Sequence, residues 1–288
     1  MIEEKVKKIS LHNKIEIAYT DTANAASAAT LLFIHGLANY RKVWYWNIAG
    51  LQHRYRCISV DLPGNGQSSR GDYPYTISFY SECIREFIQL LDLSNVVLVG
   101  HSMGGQIALY LSLQYPSLCP KMILAAPAGL EYFSPYEVVM MKQSVMLGNL
   151  FPMDEMHLSQ AVENSFYVPS AIMRTIIDEL HQLIRQHDRL MYRKMVERCI
   201  HSMLDTPVYS SLELIATDTL VLFGNQDMLI PNRLLHGSDV VAMASAAVKK
   251  MPSARLEIIK NAGHFLQIEK ADEWNKSVIS FLDDKQGE

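Results

Sequence analysis

The stretch "VVLVGHSMGGQIALYL", residues 96–111, decides the fold of this chain. Its first four residues are apolar and predict a buried strand, and the apolar run after the glycines predicts a helix that begins near residue 103. Ser102 lies at the bend between them, inside the Gly-x-Ser-x-Gly pattern of residues 100–104. The pattern alone is a weak signal, but a strand that runs directly into a helix is the context in which it has meaning. The two glycines allow a sharp turn, so the serine hydroxyl is expected at the carboxyl edge of the sheet, beside the positive end of the helix. A phosphate-binding turn is disfavoured, because no lysine follows and Gly-x-Gly-x-x-Gly is absent.

Further strand patterns alternate with helical patterns along most of the chain. Strands alternating with helices predict a mostly parallel sheet covered by helices on both faces. The strand patterns are "KIEIAYT" (14–20), "TLLFI" (30–34), "RCISV" (56–60), "KMILAA" (121–126), "TLVLF" (219–223) and "RLEII" (255–259), and the helical patterns span 79–91, 103–115 and 272–283.

The alternation is interrupted once, between about residues 131 and 213. This stretch has no strand pattern, only helix-like segments such as residues 169–186, and it contains nine of the fifteen methionines. We expect a helical insertion that lies over the sheet as a cap. A second packed helical layer without a functional surface is the alternative.

These motifs resemble those of the α/β-hydrolases, and the resemblance extends in consistent order from about residue 12 to residue 283. It implies an α/β fold with a mostly parallel eight-stranded sheet, flanking helices and a helical cap inserted after strand 6. The implied core is residues 1–130 and 214–288, and the implied cap (lid) is residues 131–213. In this family the nucleophile is followed along the chain by an acid and then by a histidine.

The resemblance makes Ser102 the nucleophile of a Ser-His-Asp triad. The other two members can be sought at positions that match those of the family. A serine nucleophile needs a base, and His264 in "NAGHFLQIEK" (261–270) follows the last strand pattern in a loop. The base needs a carboxylate to orient it, and Asp227 follows the strand pattern 219–223 in the position of the family's acid. Three other carboxylates are less well placed, Asp218, Asp239 and Glu131, of which Glu131 is the rival at an edge that some family members use.

The oxyanion hole is expected to consist of two backbone N–H groups. The family supplies one from the residue after the nucleophile, here Met103, and one from the loop after the third strand, which points to Leu37. His35 and Gly36 are expected to shape that loop without a chemical role. Asp61, in the glycine-rich turn "DLPGNGQSS" (61–69), is expected to be structural.

The implied function is that of a serine hydrolase of the carboxylesterase type, acting on an ester of a small to medium apolar acyl or aromatic substrate. Carbon–carbon bond hydrolysis of ring-cleavage products is one alternative, with Arg174, Arg185 and Arg189 as candidate carboxylate ligands. Against it, that group often has asparagine before the nucleophile and tryptophan after the histidine, where this chain has His101 and Phe265. A monoacylglycerol lipase, a cofactor-free perhydrolase and a ligand receptor on the same fold also stay open.

The composition limits which partners and which cellular compartment are expected for this protein. The formal net charge of −4 and the absence of a basic stripe argue against nucleic acid as a partner. No apolar run approaches the length of a membrane span, and the charged start does not resemble a signal peptide. Four scattered cysteines indicate reduced residues of a cytoplasmic protein.

No cofactor and no metal are expected, since "MDEMH" (153–157) lacks a fitting third ligand. The expected partner is a small-molecule substrate under the cap, and a homodimer, common for this fold, is left open.

Overall fold

An eight-stranded sheet organises the described part of the chain. The structure, a computed structural model, describes residues 5–24, 29–146, 155–185 and 188–284, with the side chains of 155–158 and 184 excepted. The strand order across the sheet is β1-β2-β4-β3-β5-β6-β7-β8. The strands are β1 (Lys7–Ser10), β2 (Glu16–Asp21), β3 (Thr30–Ile34), β4 (Arg56–Val60), β5 (Val96–His101), β6 (Lys121–Ala125), β7 (Asp218–Gly224) and β8 (Ala254–Ile259).

The sheet is antiparallel at one edge and parallel elsewhere. β1 pairs with β2 and β2 with β4 in antiparallel fashion, whereas the six strands from β4 to β8 in the sheet order run parallel. Parallel strands bring their carboxyl ends to one edge, so the loops after β3, β5, β7 and β8 meet there. This is the mostly parallel eight-stranded sheet that the resemblance implies.

Helices cover the sheet on both faces. Helix α2 (Ile77–Leu90) shows how a local sequence specifies one of them: the Thr76 side chain accepts a hydrogen bond from the Phe79 N–H at 3.0 Å and caps the helix start. Most of its apolar residues recur at helical spacing and are buried. The helices of this core are α1 (Tyr45–Leu51), α2 (Ile77–Leu90), α3 (Met103–Gln114), α8 (Arg233–His236), α9 (Val240–Val248), α10 (Leu266–Glu269) and α11 (Ala271–Asp283).

A helical insertion separates β6 from β7, as expected after the sixth strand. It contains α4 (Pro135–Met146), α5 (Glu155–Ser165), α6 (Ala171–Arg185) and α7 (Arg189–Asp205), and no strand occurs among its described residues. Its side chains reach the core, since the Ser202 hydroxyl accepts a hydrogen bond from the Ile77 N–H at 2.8 Å. The Gln106 side-chain amide also donates to the carbonyls of Met203 and Thr206 at 2.9 and 3.0 Å. We refer to the segment between β6 and β7 as the helical insertion.

One strand is absent from the sequence patterns. Lys7–Ser10 forms the edge strand β1, which alternates between half-buried and exposed positions and contains only one apolar residue. Its structure comes from pairing with β2, where Ile9 lies opposite Ile17. A pattern based on burial therefore could not detect it.

The four cysteines are free and buried. Among the described residues, no helix is both long enough and apolar enough to cross a bilayer.

Candidate active site

Ser102 occupies a strained bend between β5 and α3. Its backbone has φ 53° and ψ −118°, a combination that non-glycine residues rarely adopt and that the surrounding structure must enforce. A Cβ atom at Gly104 would lie 2.4 Å from the Ile34 carbonyl oxygen, and one at Gly100 would lie 2.5 Å from the Gly104 oxygen. Only glycine fits at either position, which explains the Gly-x-Ser-x-Gly pattern in physical terms.

Backbone hydrogen bonds hold this bend. The Ser102 N–H donates to the Ala125 carbonyl at 3.1 Å, and the Ser102 carbonyl accepts from the N–H groups of Gly105 and Ala128 at 2.9 and 3.0 Å. The side chain is half-buried, and its Oγ makes no hydrogen bond within the described part of the chain. The hydroxyl is thus presented by a rigid backbone and is left available.

Two further N–H groups near Ser102 have no acceptor among the described residues, those of Leu37 and Met103. Met103 is the first residue of α3, where helix geometry leaves N–H groups unsatisfied. The loop of Leu37 approaches the bend closely, because a Cβ at Gly36 would lie 3.0 Å from the Ser102 Cβ. Both sequence-predicted oxyanion donors therefore belong to segments that flank Ser102.

Asp227 and His264 form a buried pair. The His264 Nδ1 lies 2.8 Å from the Asp227 Oδ2, and both side chains are almost completely buried. The other Asp227 oxygen accepts from the N–H groups of Leu229 and Ile230 at 2.8 and 3.0 Å. These bonds fix the carboxylate, so the imidazole carries its proton on Nδ1 and leaves Nε2 free to accept one.

The backbone of His264 is held on both sides. Its N–H donates to the carbonyl of Ser165, the last residue of α5, at 2.8 Å. Its carbonyl accepts from the His101 Nε2 at 3.0 Å, and the two imidazole rings lie 4.8 Å apart between centroids. Burial lowers the pKa of His101 well below its usual value. His101 is therefore neutral, and its one proton lies on the nitrogen that contacts His264.

The rival carboxylates have other partners. Glu131 contacts the His236 Nδ1 at 2.5 Å and accepts from the Asn232 N–H at 2.7 Å. Asp218 pairs with Lys121. Asp239 caps the start of α9 by accepting from the Ala242 N–H at 2.9 Å. Of the four carboxylates weighed from the sequence, the structure brings only Asp227 to His264.

His35 and Asp61 stabilise the neighbouring loops. The His35 ring, fully buried, donates from Nδ1 to the Gly36 carbonyl at 2.8 Å and accepts the Leu62 N–H on Nε2 at 3.0 Å. Burial lowers the pKa of this histidine, which stays neutral.

Asp61 is fully buried, pairs with the Arg41 guanidinium and accepts from the Gln67 N–H at 2.9 Å. These contacts are structural and join the loops after β3 and β4.

Three arginines considered as carboxylate ligands are exposed: Arg174, Arg185 and Arg189. The "MDEMH" segment (153–157) lies outside the residues whose side chains the structure describes. Within the described residues, no group of three or more His, Cys, Asp or Glu side chains could hold a metal ion.

Sequence reasoning missed the residues that hold the backbone of His264 in place. The Ser165 contact uses a backbone carbonyl, which leaves no trace in residue type. The other contact comes from His101, which stands beside Ser102 in a quoted motif, but its residue type does not show that it reaches the His264 carbonyl.

Comparison with known proteins identifies the fold of this chain. The family model described as alpha/beta hydrolase fold matches residues 29–271. Monoacylglycerol lipase ABHD6 of Homo sapiens is 23% identical over 280 residues, covering 94% of this chain and 80% of that protein. An esterase from Exiguobacterium antarcticum superimposes with a TM-score of 0.78 at 21% identity, covering 97% of this chain and 100% of the other. A bromoperoxidase from Bacillus anthracis superimposes with a TM-score of 0.79 at 21% identity, covering 97% of this chain and 100% of the other.

Proposed function

Because the chain belongs to the α/β-hydrolase fold family, we propose that it is a serine hydrolase that cleaves carboxylic esters through Ser102, His264 and Asp227. The observation that carries this proposal is the buried 2.8 Å contact between His264 Nδ1 and Asp227 Oδ2. A histidine held in this way has one free nitrogen and a fixed orientation, which are the properties of a general base.

The proposed cycle has two halves. Ser102 Oγ attacks the ester carbonyl carbon as its proton passes to His264 Nε2, and the resulting oxyanion accepts hydrogen bonds from the N–H groups of Leu37 and Met103. The alcohol leaves with the proton from His264, and an acyl-enzyme remains on Ser102. Water then attacks the acyl carbon with His264 as base, and collapse releases the carboxylic acid and restores the serine.

The proposed substrate is an ester with a small to medium apolar acyl group or an aromatic group. Phe166 of the insertion stacks on Phe265 with ring centroids 4.9 Å apart, directly beside the proposed base. The proposed cap, residues 131–213, contributes Phe166 to this apolar contact. A relative named monoacylglycerol lipase supports an apolar ester, and we include a monoacylglycerol among the substrates to test.

Carbon–carbon hydrolysis receives less support. It would need a cation beneath the insertion for the substrate carboxylate, and Arg174, Arg185 and Arg189 are exposed instead. The receptor alternative is disfavoured by the Asp227–His264 contact, which a binding protein does not need.

The compartment proposed is the cytoplasm. Burial raises the pKa of the Cys57, Cys83, Cys119 and Cys199 thiols to about 12, and these residues are free. Reduced, unreactive cysteines of this kind are typical of proteins in a reducing compartment.

The test is hydrolysis of p-nitrophenyl esters of increasing acyl length and of a monoacylglycerol, with Ser102→Ala as the comparison. We expect turnover on short to medium chains, and a loss of at least about 10³-fold in kcat in the variant. No turnover by folded wild-type protein would contradict the proposal, and ring-cleavage dienones would be tested next. A single turnover with retained product would instead support the receptor alternative.

A further inference from the structure

Glu269, the last residue of α10, joins the His264 loop to the helical insertion. One of its carboxylate oxygens accepts from the Gly263 N–H at 2.7 Å, and the other accepts from the Tyr167 N–H at 2.8 Å. Gly263 precedes the proposed base, and Tyr167 lies just after α5 in the insertion. A single carboxylate therefore spans two segments that are about a hundred residues apart in the sequence.

The two joined segments are also in direct contact. A Cβ at Gly263 would lie 2.6 Å from the Ser165 carbonyl oxygen and 2.8 Å from the Tyr167 nitrogen, so only glycine allows this approach. The Ser165 carbonyl accepts the His264 N–H at 2.8 Å. The Phe166–Phe265 stack completes the contact. Three consecutive residues of the insertion thus face three consecutive residues of the His264 loop.

The partly buried position of Glu269 makes a negative charge on its side chain energetically unfavourable. Its side chain is half-buried, and burial raises its pKa, an effect that hydrogen bonds from the Gly263, Tyr167 and Val168 N–H groups partly offset. A partly desolvated carboxylate is stabilised when hydrogen bonds satisfy both oxygens. Here each carboxylate oxygen accepts a hydrogen bond from a different segment. Separation of the insertion from the His264 loop would therefore break at least one of these two hydrogen bonds.

We propose that Glu269 is a positioning residue that locks insertion residues 165–167 to the His264 loop, so that His264 is aligned for catalysis only while the insertion is seated. This inference rests on the proposed function of His264 as the base. Glutamine cannot replace the carboxylate fully, because its NH₂ group would face an N–H donor at one of the two sites.

The experiment compares Glu269→Gln and Glu269→Ala with the wild type and with Glu273→Gln, an exposed glutamate of α11. Steady-state kinetics use p-nitrophenyl acetate, and amide hydrogen exchange is followed at Gly263 and Tyr167. We expect kcat to fall about 10- to 100-fold in both Glu269 variants, as for other misplacements of a catalytic group. KM should stay within about twofold, because a positioning residue acts on His264 and not on substrate binding. Exchange at both amides should accelerate, and Glu273→Gln should match the wild type.

The outcomes separate this inference from the proposed function. Ser102-dependent turnover with an unchanged kcat in Glu269→Gln and Glu269→Ala would overturn the inference and leave the proposed function intact, whatever the exchange rates. A rise in KM at constant kcat would also overturn it, because that result indicates a role in substrate binding. Absence of Ser102-dependent turnover in the wild type would overturn the proposed function itself, and the positioning role with it.

Discussion

The backbone N–H of His264 donates a 2.8 Å hydrogen bond to the carbonyl of Ser165, at the end of a helix that belongs to the insertion. The proposed base therefore does not depend on the sheet alone for its position. Its side chain is oriented by Asp227, and its carbonyl is held by His101. Since each of these contacts comes from a different element, a shift of any one of them would misalign the imidazole.

Replacing Asp227 tests the orienting carboxylate. We expect Asp227→Asn to fold and to lose about 10³- to 10⁴-fold in kcat, because the amide would stabilise the wrong tautomer of His264 and would not stabilise its protonated form. The measurement is kcat for a p-nitrophenyl ester, together with the melting temperature to show that the fold is kept.

The matched control for this prediction is Glu131→Gln, which alters the rival carboxylate. Glu131 contacts His236 rather than His264, so its variant should keep kcat within about threefold of the wild type. A near-normal rate in Asp227→Asn, or a larger loss in Glu131→Gln, would show that the acid is assigned to the wrong residue.

Replacing His101 tests the contact to the His264 carbonyl. His101→Leu keeps a similar volume but leaves that buried carbonyl without its donor, which should cost about 1–3 kcal/mol of unfolding free energy. We also expect a lower kcat, because the His264 backbone loses one of its two anchors. Denaturant unfolding and ester hydrolysis measure the two effects, with the exposed His53→Leu as the control. Equal stability of His101→Leu and His53→Leu would argue against the hydrogen bond between His101 and the His264 carbonyl.

His236 should make stability depend on pH. Its ring lies between Glu131 and Glu137, at 2.5 and 3.2 Å. Burial alone would lower the pKa of His236, but hydrogen bonds to these two carboxylates raise it above its usual value. A raised folded-state pKa means that the protonated ring stabilises the fold below the unfolded-state pKa, and that this contribution is lost as pH rises through the folded-state pKa.

We therefore expect His236→Gln to melt below the wild type near pH 6, with the difference shrinking by about pH 9. The effect should be small, because the His236 side chain is 25% exposed and the pairs are screened by solvent. Lower pH should be avoided, since burial raises the pKa of Glu131 and its protonation would remove a partner. A difference that stays constant or grows with pH would contradict this account.

The sequence predicted those features that depend on local chemistry. The β5–Ser102–α3 bend follows from a strand pattern, two glycines and a helix pattern. Asp227 and His264 could be selected because both follow buried strands whose carboxyl ends meet at one edge, and the structure brings the two together. Their catalytic roles, and those of Leu37 and Met103, stay predictions.

Features that depend on tertiary contact were beyond the sequence. The edge strand β1 contains too few apolar residues for a burial pattern and is specified by its pairing with β2. The contact between Ser165 and His264 joins a backbone carbonyl to a backbone N–H across about a hundred residues. The role proposed for Glu269 depends on hydrogen-bond partners in two segments that are distant in the sequence.

The most direct test of the central claim is covalent labelling of the nucleophile. Wild-type protein is treated with a fluorophosphonate, and the adduct is measured by intact mass and located by peptide mapping, with Ser102→Ala in parallel. The account predicts one adduct per chain, located on Ser102, and no adduct in the variant. An adduct on another residue, or no reaction of a folded wild-type protein, would contradict the assignment of Ser102 as the nucleophile.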